Sequence, residues 1–573
     1  MLNRMTHCLK IILPLVLVLS LLVPRPALAV VPTRPTTQSN PTSQCLESLV
    51  LLFQGRFTEA KPLQEQALAA LQASSNTDAN ALGMCAIFLA IVHHSTGDWV
   101  EALTTYTVAL EAFQTAEDPQ MVWAAHFGMG SVYAAQGRFA DAYTTLQQTL
   151  PLTGGTANAD EKACADPKAS VDAVEQAWTT ESLKPLARAV TLNNIGLVIA
   201  VPYSQNQSIG GDYAKATQCF ASALQILQQL SRQSTNADDA LSTLLLQMAL
   251  GGGSGAEALS DTITAMLVGS LVPELATAFE PILLSNLGQV YAFEEDYEQA
   301  QIYLEQALQQ IKASQAQNNT AELQAILPLL DPLLALLGPD LDPKLQETIR
   351  VIPELLSSLS ILSTVVNLNG EAIALNNLAW VYNAQGQTEE AQTTFEDALA
   401  IYEDKLANYP GAVTAHVNLG WLAQQAGDSA IALDHYEQAI KLLASVRSVA
   451  EGDVAQLHPG DPQTFNLVGN QGILSQQADV YALATNLYLQ QGKTTQALQT
   501  LEKGRARLFF DMLSAGNPQL TDQDADQLNA VREAFDLYTQ AKISLTQIRA
   551  VGGANRPLIN RAQSELEKCG RSV

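Results

Sequence analysis

The sequence predicts an all-α fold, a solenoid of stacked helical hairpins with helical insertions between some of them. Three observations predict it. A turn residue followed by Ala five positions later recurs eight times in the 573 residues. A large residue stands nine after most of those turns, and a small one twelve after. Finally, the chain is rich in Ala, Leu and Gln, with 6% aromatic residues, which favours helices.

The first element is a leader. Residues 1–29 carry Arg4 and Lys10, an apolar run from Ile11 to Val23, and small residues Ala27 and Ala29. That order predicts an export signal and a periplasmic or extracellular protein. The run is short for a membrane span, so no integral span is expected after cleavage. Removing this segment, which holds Arg4, Lys10 and Arg25 and no acid, takes the formal charge from −27 to −30. Such an acidic surface repels phosphate backbones and argues against nucleic acid as a partner. Residues 30–44, with three prolines and no periodicity, are expected to form a flexible leader.

The repeats come next. Their second helices begin at GRFTEAKPLQEQAL (55), GDWVEALTTYTVAL (97), GRFADAYTTLQQTL (137) and GDYAKATQCFASAL (211). The others begin at EDYEQAQIYLEQAL (295), GQTEEAQTTFEDAL (386), GDSAIALDHYEQAI (427) and GKTTQALQTLEKGR (492). The large residues are Tyr106, Leu146, Phe220, Leu304, Phe395, Tyr436 and Leu501; Gln64 departs from the pattern. Most turns follow a first helix with a small residue seven before the turn (Gly130, Gly288, Ala379, Gly420). Often a Tyr stands four before it (Tyr133, Tyr291, Tyr382, Tyr488). Small residues let two helices approach, and large ones fill the space beside them. One pair cannot hide its apolar stripe, so neighbours must stack.

This pattern resembles tetratricopeptide repeats. The resemblance implies a right-handed α-solenoid and a non-enzymatic protein that binds protein or peptide ligands along a concave groove. Turn spacings of 42, 40 and 41 exceed the usual 34 and predict longer helices. The wider spacings, 74, 84, 91 and 65, predict insertions. The expected organisation is three repeats in 45–150, repeats with loops and apolar helices in 151–312, an apolar helical insertion in 313–370, and repeats leading into a long final helix in 371–513.

The insertions differ in kind. Residues 151–170 read as a loop, and GGGSG at 251 as a flexible break. The stretches from 256 and from 323 are unusually apolar. Either they form extra helices on the solenoid, or they make a surface for a partner or the bacterial envelope. Five cysteines remain in the mature chain: Cys45, Cys85, Cys164, Cys219 and Cys569. Cys45 and Cys85 either face one another on neighbouring helices or are buried free thiols.

No catalytic or metal motif stands out. His7, His93, His94, His126, His416, His435 and His458 include no H-E-x-x-H, and structural or exposed roles are expected for all. Neither a phosphate loop nor a G-x-S-x-G elbow occurs, and no cofactor is expected. Glu389 and Glu390 read as a solvated helix face. The candidate binding residues are Asn194, Asn286, Asn377 and Asn418, each at the same first-helix position. In tetratricopeptide proteins that position lies on the concave face. An amide both donates and accepts, which suits a peptide main chain. Equally, Asn at this place can tie adjacent first helices together. Few Lys or Arg are available to grip a terminal carboxylate.

The last repeat runs into LEKGRARLFFDML, 501–513, without a turn. Leu528, Val531, Phe535, Tyr538, Leu545 and Ile548 then mark one amphipathic helix, and Leu558, Ala562, Leu566 and Cys569 a shorter returning one. Residues 514–573 thus predict a helical hairpin. This order is similar to the region that joins tetratricopeptide arrays to the caspase-like domain of bacterial CHAT proteins. The resemblance implies a truncated or split protease component with its catalytic domain absent, and it carries no catalytic residue onto this chain.

Overall fold

A turn that breaks one helix and starts the next in three residues sets the architecture. At Gly386, Gly427 and Gly492 the backbone takes φ of 80°, 83° and 72°, the left-handed region that Gly enters without strain. The next residue's N–H then reaches back across the helix end. Gln387, Asp428 and Lys493 donate to the carbonyls of Tyr382, Ala423 and Tyr488 at 2.8–2.9 Å. Asp296 closes the same loop onto Tyr291 at 2.9 Å, with Glu295 in the left-handed place at φ 61°. Where the following residue is Asp, its side chain caps the second helix. Oδ1 of Asp212, Asp296 and Asp428 accepts from the N–H of Lys215, Gln299 and Ile431.

The structure is a computed structural model. It describes residues 57–153 apart from 75–77, 97 and 136–137, then 183–200, 211–232, 256–317, 367–443 apart from 407–408, and 472–514. Pro41, Gln44, Cys45, Ser48, Cys164 and Thr364 are described as well. The predicted signal, most of the leader, the apolar insertion from 323 and the C-terminal hairpin lie outside these residues.

The helices are α1 Phe57–Ala73, α2 Ala79–Thr96, α3 Trp99–Thr115, α4 Pro119–Ala135 and α5 Phe139–Gln147, then α6 Leu183–Ala200 and α7 Tyr213–Arg232. They continue with α8 Ala256–Phe293, α9 Tyr297–Gln317, α10 at 367–384 and α11 Thr388–Ala400. Last come α12 Tyr409–Gln425, α13 Ser429–Leu443, α14 Gly472–Gln490 and α15 Thr494–Ser514. A 3-10 turn, Pro151–Thr153, follows α5, and a π-helical turn, Ile401–Leu406, extends α11. No strand occurs among the described residues. From α2 onward they form seven pairs, the first helix of each before its turn and the second after. This is an all-α, tetratricopeptide-type solenoid.

The small and large residues meet as the spacing requires. A Cβ on Gly130 would lie 2.8 Å from Cγ of Leu146, and one on Gly288 2.6 Å from Cγ of Leu304. Gly196 abuts Phe220 at 2.7 Å in the same way. Ala379 and Phe395 share one core. Backbone and large side chain are therefore in direct contact in the α4–α5, α6–α7 and α8–α9 pairs.

Successive pairs are also held in one register. Tyr382 donates its hydroxyl to Glu305 of the preceding pair at 3.5 Å, and Gln385 donates to the carbonyl of Tyr297 at 3.5 Å. Tyr488 and Gln491 repeat this with Glu437 and the carbonyl of Ser429. These are equivalent positions at two different junctions, as nearest-neighbour stacking requires.

Three features were not foreseen. The apolar stretch from 256 is not a separate helix: it runs without a break into the first helix of its repeat, making α8 38 residues long despite Pro273 and Pro281. Cys164 bonds to Cys219 on α7, and Cys45 bonds to Cys85 on α2. The first of these pairings had no signal in the sequence; the second settles one of two open alternatives. The π turn after α11 was equally invisible.

Candidate peptide-binding wall

Asparagine side chains on the first helices link to the preceding first helix. Asn286 on α8 donates to Oδ1 of Asn193 on α6 at 2.7 Å. Asn418 on α12 donates to Oδ1 of Asn376 on α10 at 3.1 Å. Asn194 donates to Oγ of Ser131 on α4 at 3.5 Å, while its own Oδ1 accepts from Asn193 at 3.2 Å. Three of the four predicted amides therefore reach back to the preceding first helix.

Asn377 differs. By register its partner on α8 should be Ser285, as Asn193 is for Asn286. Instead Oδ1 of Asn377 has no hydrogen-bond partner, and neither does Oγ of Ser285. Nε2 of Gln289, one helical turn along α8, also lacks one. These residues are 3%, 3% and 2% exposed. The two helices share a core through Leu284 and Leu378. One buried acceptor on α10 and two buried donors on α8 thus lack a hydrogen-bond partner. The sequence reading named Asn377 but missed Asn193, Asn376, Ser285 and Gln289. The Asn-Asn doublets at 193–194 and 376–377 were the available signal: Asn193 and Asn376 each receive the link from the following repeat, Asn194 links backward, and Asn377 leaves its Oδ1 unpaired.

Glu389 and Glu390 are exposed, as expected of a solvated face. Tyr488, buried on one side and bonded to Glu437, has its hydroxyl pKa pushed up to about 12, first by burial. His93 lies 3.5 Å from Asp98, and His94 meets the ring of Trp99 edge-on. Among the described residues no cluster of three or more His, Cys, Asp or Glu is arranged to hold a metal ion, and no helix is long and apolar enough to cross a membrane.

Family models described as tetratricopeptide repeat match this chain. One matches residues 44–115, 356–404 and 370–445, a second 283–312 and a third 89–155. The chain carries tetratricopeptide repeats. Two pairs fall outside the matched stretches, α6–α7 and α14–α15. They nonetheless have the same geometry, with Gly196 against Phe220 and Gly492 in the left-handed region. No curated protein matches the sequence.

Among solved structures, the apo form of RapI is 13% identical, with 64% of this chain and 98% of that one covered and a TM-score of 0.34. A Rap protein complexed with competence and sporulation factor is 12% identical, with 93% and 99% covered and a TM-score of 0.37. The tetratricopeptide domain of P58(IPK) is 12% identical, with 70% and 93% covered and a TM-score of 0.17. Likenesses of this size carry no argument about function.

Proposed function

We propose that this protein is a non-catalytic, exported scaffold that binds protein or peptide segments along its first-helix wall. The observation that carries the reading lies on α8 and α10. There Asn377 offers an unused acceptor, and Ser285 and Gln289 offer unused donors. A peptide unit carries one donor and one acceptor, so the three atoms suit a main chain. Asn194, half-buried, and the linking amides Asn286 and Asn418 extend the wall on either side. These atoms are buried, so a ligand segment reaches them only where α8 and α10 part locally.

Export is supported by the two disulfides. Bonds such as Cys45–Cys85 and Cys164–Cys219 persist where the surroundings are oxidising. The signal-like residues 1–29 point the same way.

The test is capture by cross-linking in the native host, comparing the natural chain with an Asn377→Ala, Asn418→Ala double variant. Loss of the captured segment is expected. Unchanged capture would overturn the wall as the site.

A second reading makes the repeats the recognition part of a CHAT-type protease assembly. It rests on the resemblance of LEKGRARLFFDML, through which α15 runs without a turn, to the linker of such proteins. Co-purification with a separate caspase-like polypeptide would support it, and a chain that purifies with no such subunit would count against it.

A further inference from the structure

Three side chains from three elements form one hydrogen-bonded chain beside the π turn. Oε1 of Glu403, in that turn, lies 3.3 Å from Nε2 of His416 on α12. Nδ1 of His416 lies 3.0 Å from Nδ1 of His435 on α13. His416 is buried, with 8% of its side chain exposed, whereas Glu403 is 41% exposed.

Proton bookkeeping fixes what this chain tolerates. A short contact between two ring nitrogens needs one N–H and one bare lone pair. His416 faces a carboxylate with Nε2, so that nitrogen carries its proton and Nδ1 is bare. His435 must then supply the Nδ1–H. The neutral pair is satisfied throughout. A first added proton settles on Nε2 of His435 and breaks nothing. A second has only Nδ1 of His416 to occupy, and two N–H groups would then point at each other across 3.0 Å.

We propose that His416 and His435 form a proton-operated latch holding α12 to α13, closed while the pair carries at most one extra proton and opened by the second. The surrounding charges set its threshold. Burial lowers the pKa of His435 most, and His416 lowers it further. Asp434 on α13, Glu396 on α11 and Glu403 oppose both. The latch sits beside the wall: Asn418, two residues from His416, makes the link to Asn376. The π turn suits such a device, because single π turns recur at functional sites.

Hydrogen exchange of the full mature chain at pH 7 and pH 5, corrected for intrinsic rates, tests the latch. Residues 409–443 should exchange at least tenfold faster at the lower pH, because an opening that takes up one proton grows tenfold per pH unit. Residues 367–400, which contain no histidine, are the internal reference. In His435→Asn the amide can donate to or accept from His416, so the acid response should vanish. No excess acceleration in the natural chain would overturn the proposal, and so would an acceleration that persists in the variant. If the variant fails to fold, histidine NMR of the natural chain decides. Two separated titration steps, with exchange rising only at the lower one, support the latch; a single joint step overturns it.

Discussion

Gly420 has no side chain because Tyr436 occupies the place where one would begin. A Cβ there would lie 2.6 Å from Cε1 of the tyrosine ring, and Tyr436 is fully buried. The ring cannot swing into solvent, so helix and ring must separate. Gly420→Ala is expected to cost about 1–3 kcal/mol through overpacking. Hydrogen exchange localised to 409–443 reads the effect directly; a loss under 0.5 kcal/mol, by the scale of ordinary surface substitutions, would contradict the contact.

Gly427 should fail for a different reason. It has open space around it but φ of 83°. Gly427→Ala therefore costs roughly 1–2 kcal/mol of backbone strain and no packing. Asn tolerates that region better, so Gly427→Asn should lose less than Gly427→Ala. Equal losses in local exchange would show that the turn relaxes.

The two disulfides close loops with sequence separations of 40 and 55 residues. In the chain-entropy account each bond is worth about 4 kcal/mol. Cys85→Ala should thus lower the melting point of the N-terminal pairs, measured with Cys164–Cys219 intact. A thiol-reductant titration should reach the buried sulfurs only on unfolding.

The linking amides can be ranked. Asn418→Ala leaves Oδ1 of Asn376 buried without its partner, a cost of about 1–3 kcal/mol. Asn377→Ala removes an oxygen that has no partner, so it should cost less. Thermal melts of the two single variants give the order, and the reverse order would reassign the links.

Acid should also weaken the N-terminal pairs. Burial lowers the pKa of His126 on α4. A folded pKa below the unfolded value means the contribution is present above pH ~6.5 and is lost as pH falls through the folded pKa. His126→Gln should flatten the fall in melting temperature between pH 6.5 and 5. An unchanged slope would mean that another group carries it.

The sequence by itself determined the hairpin period, the turns and the small-against-large contacts. These depend on residues a few positions apart, and helical geometry converts such spacing directly into a shared face. It also named four asparagines on one wall. The tertiary structure alone decided which of them were already engaged, because each partner lies on another helix: Asn286 finds Asn193 at a sequence separation of 93. For the same reason only the fold could bring Cys164 to Cys219, set His435 against His416, or leave Asn377 without a partner for its oxygen. Long-range pairing depends on how pairs stack, and stacking has no local spacing to read.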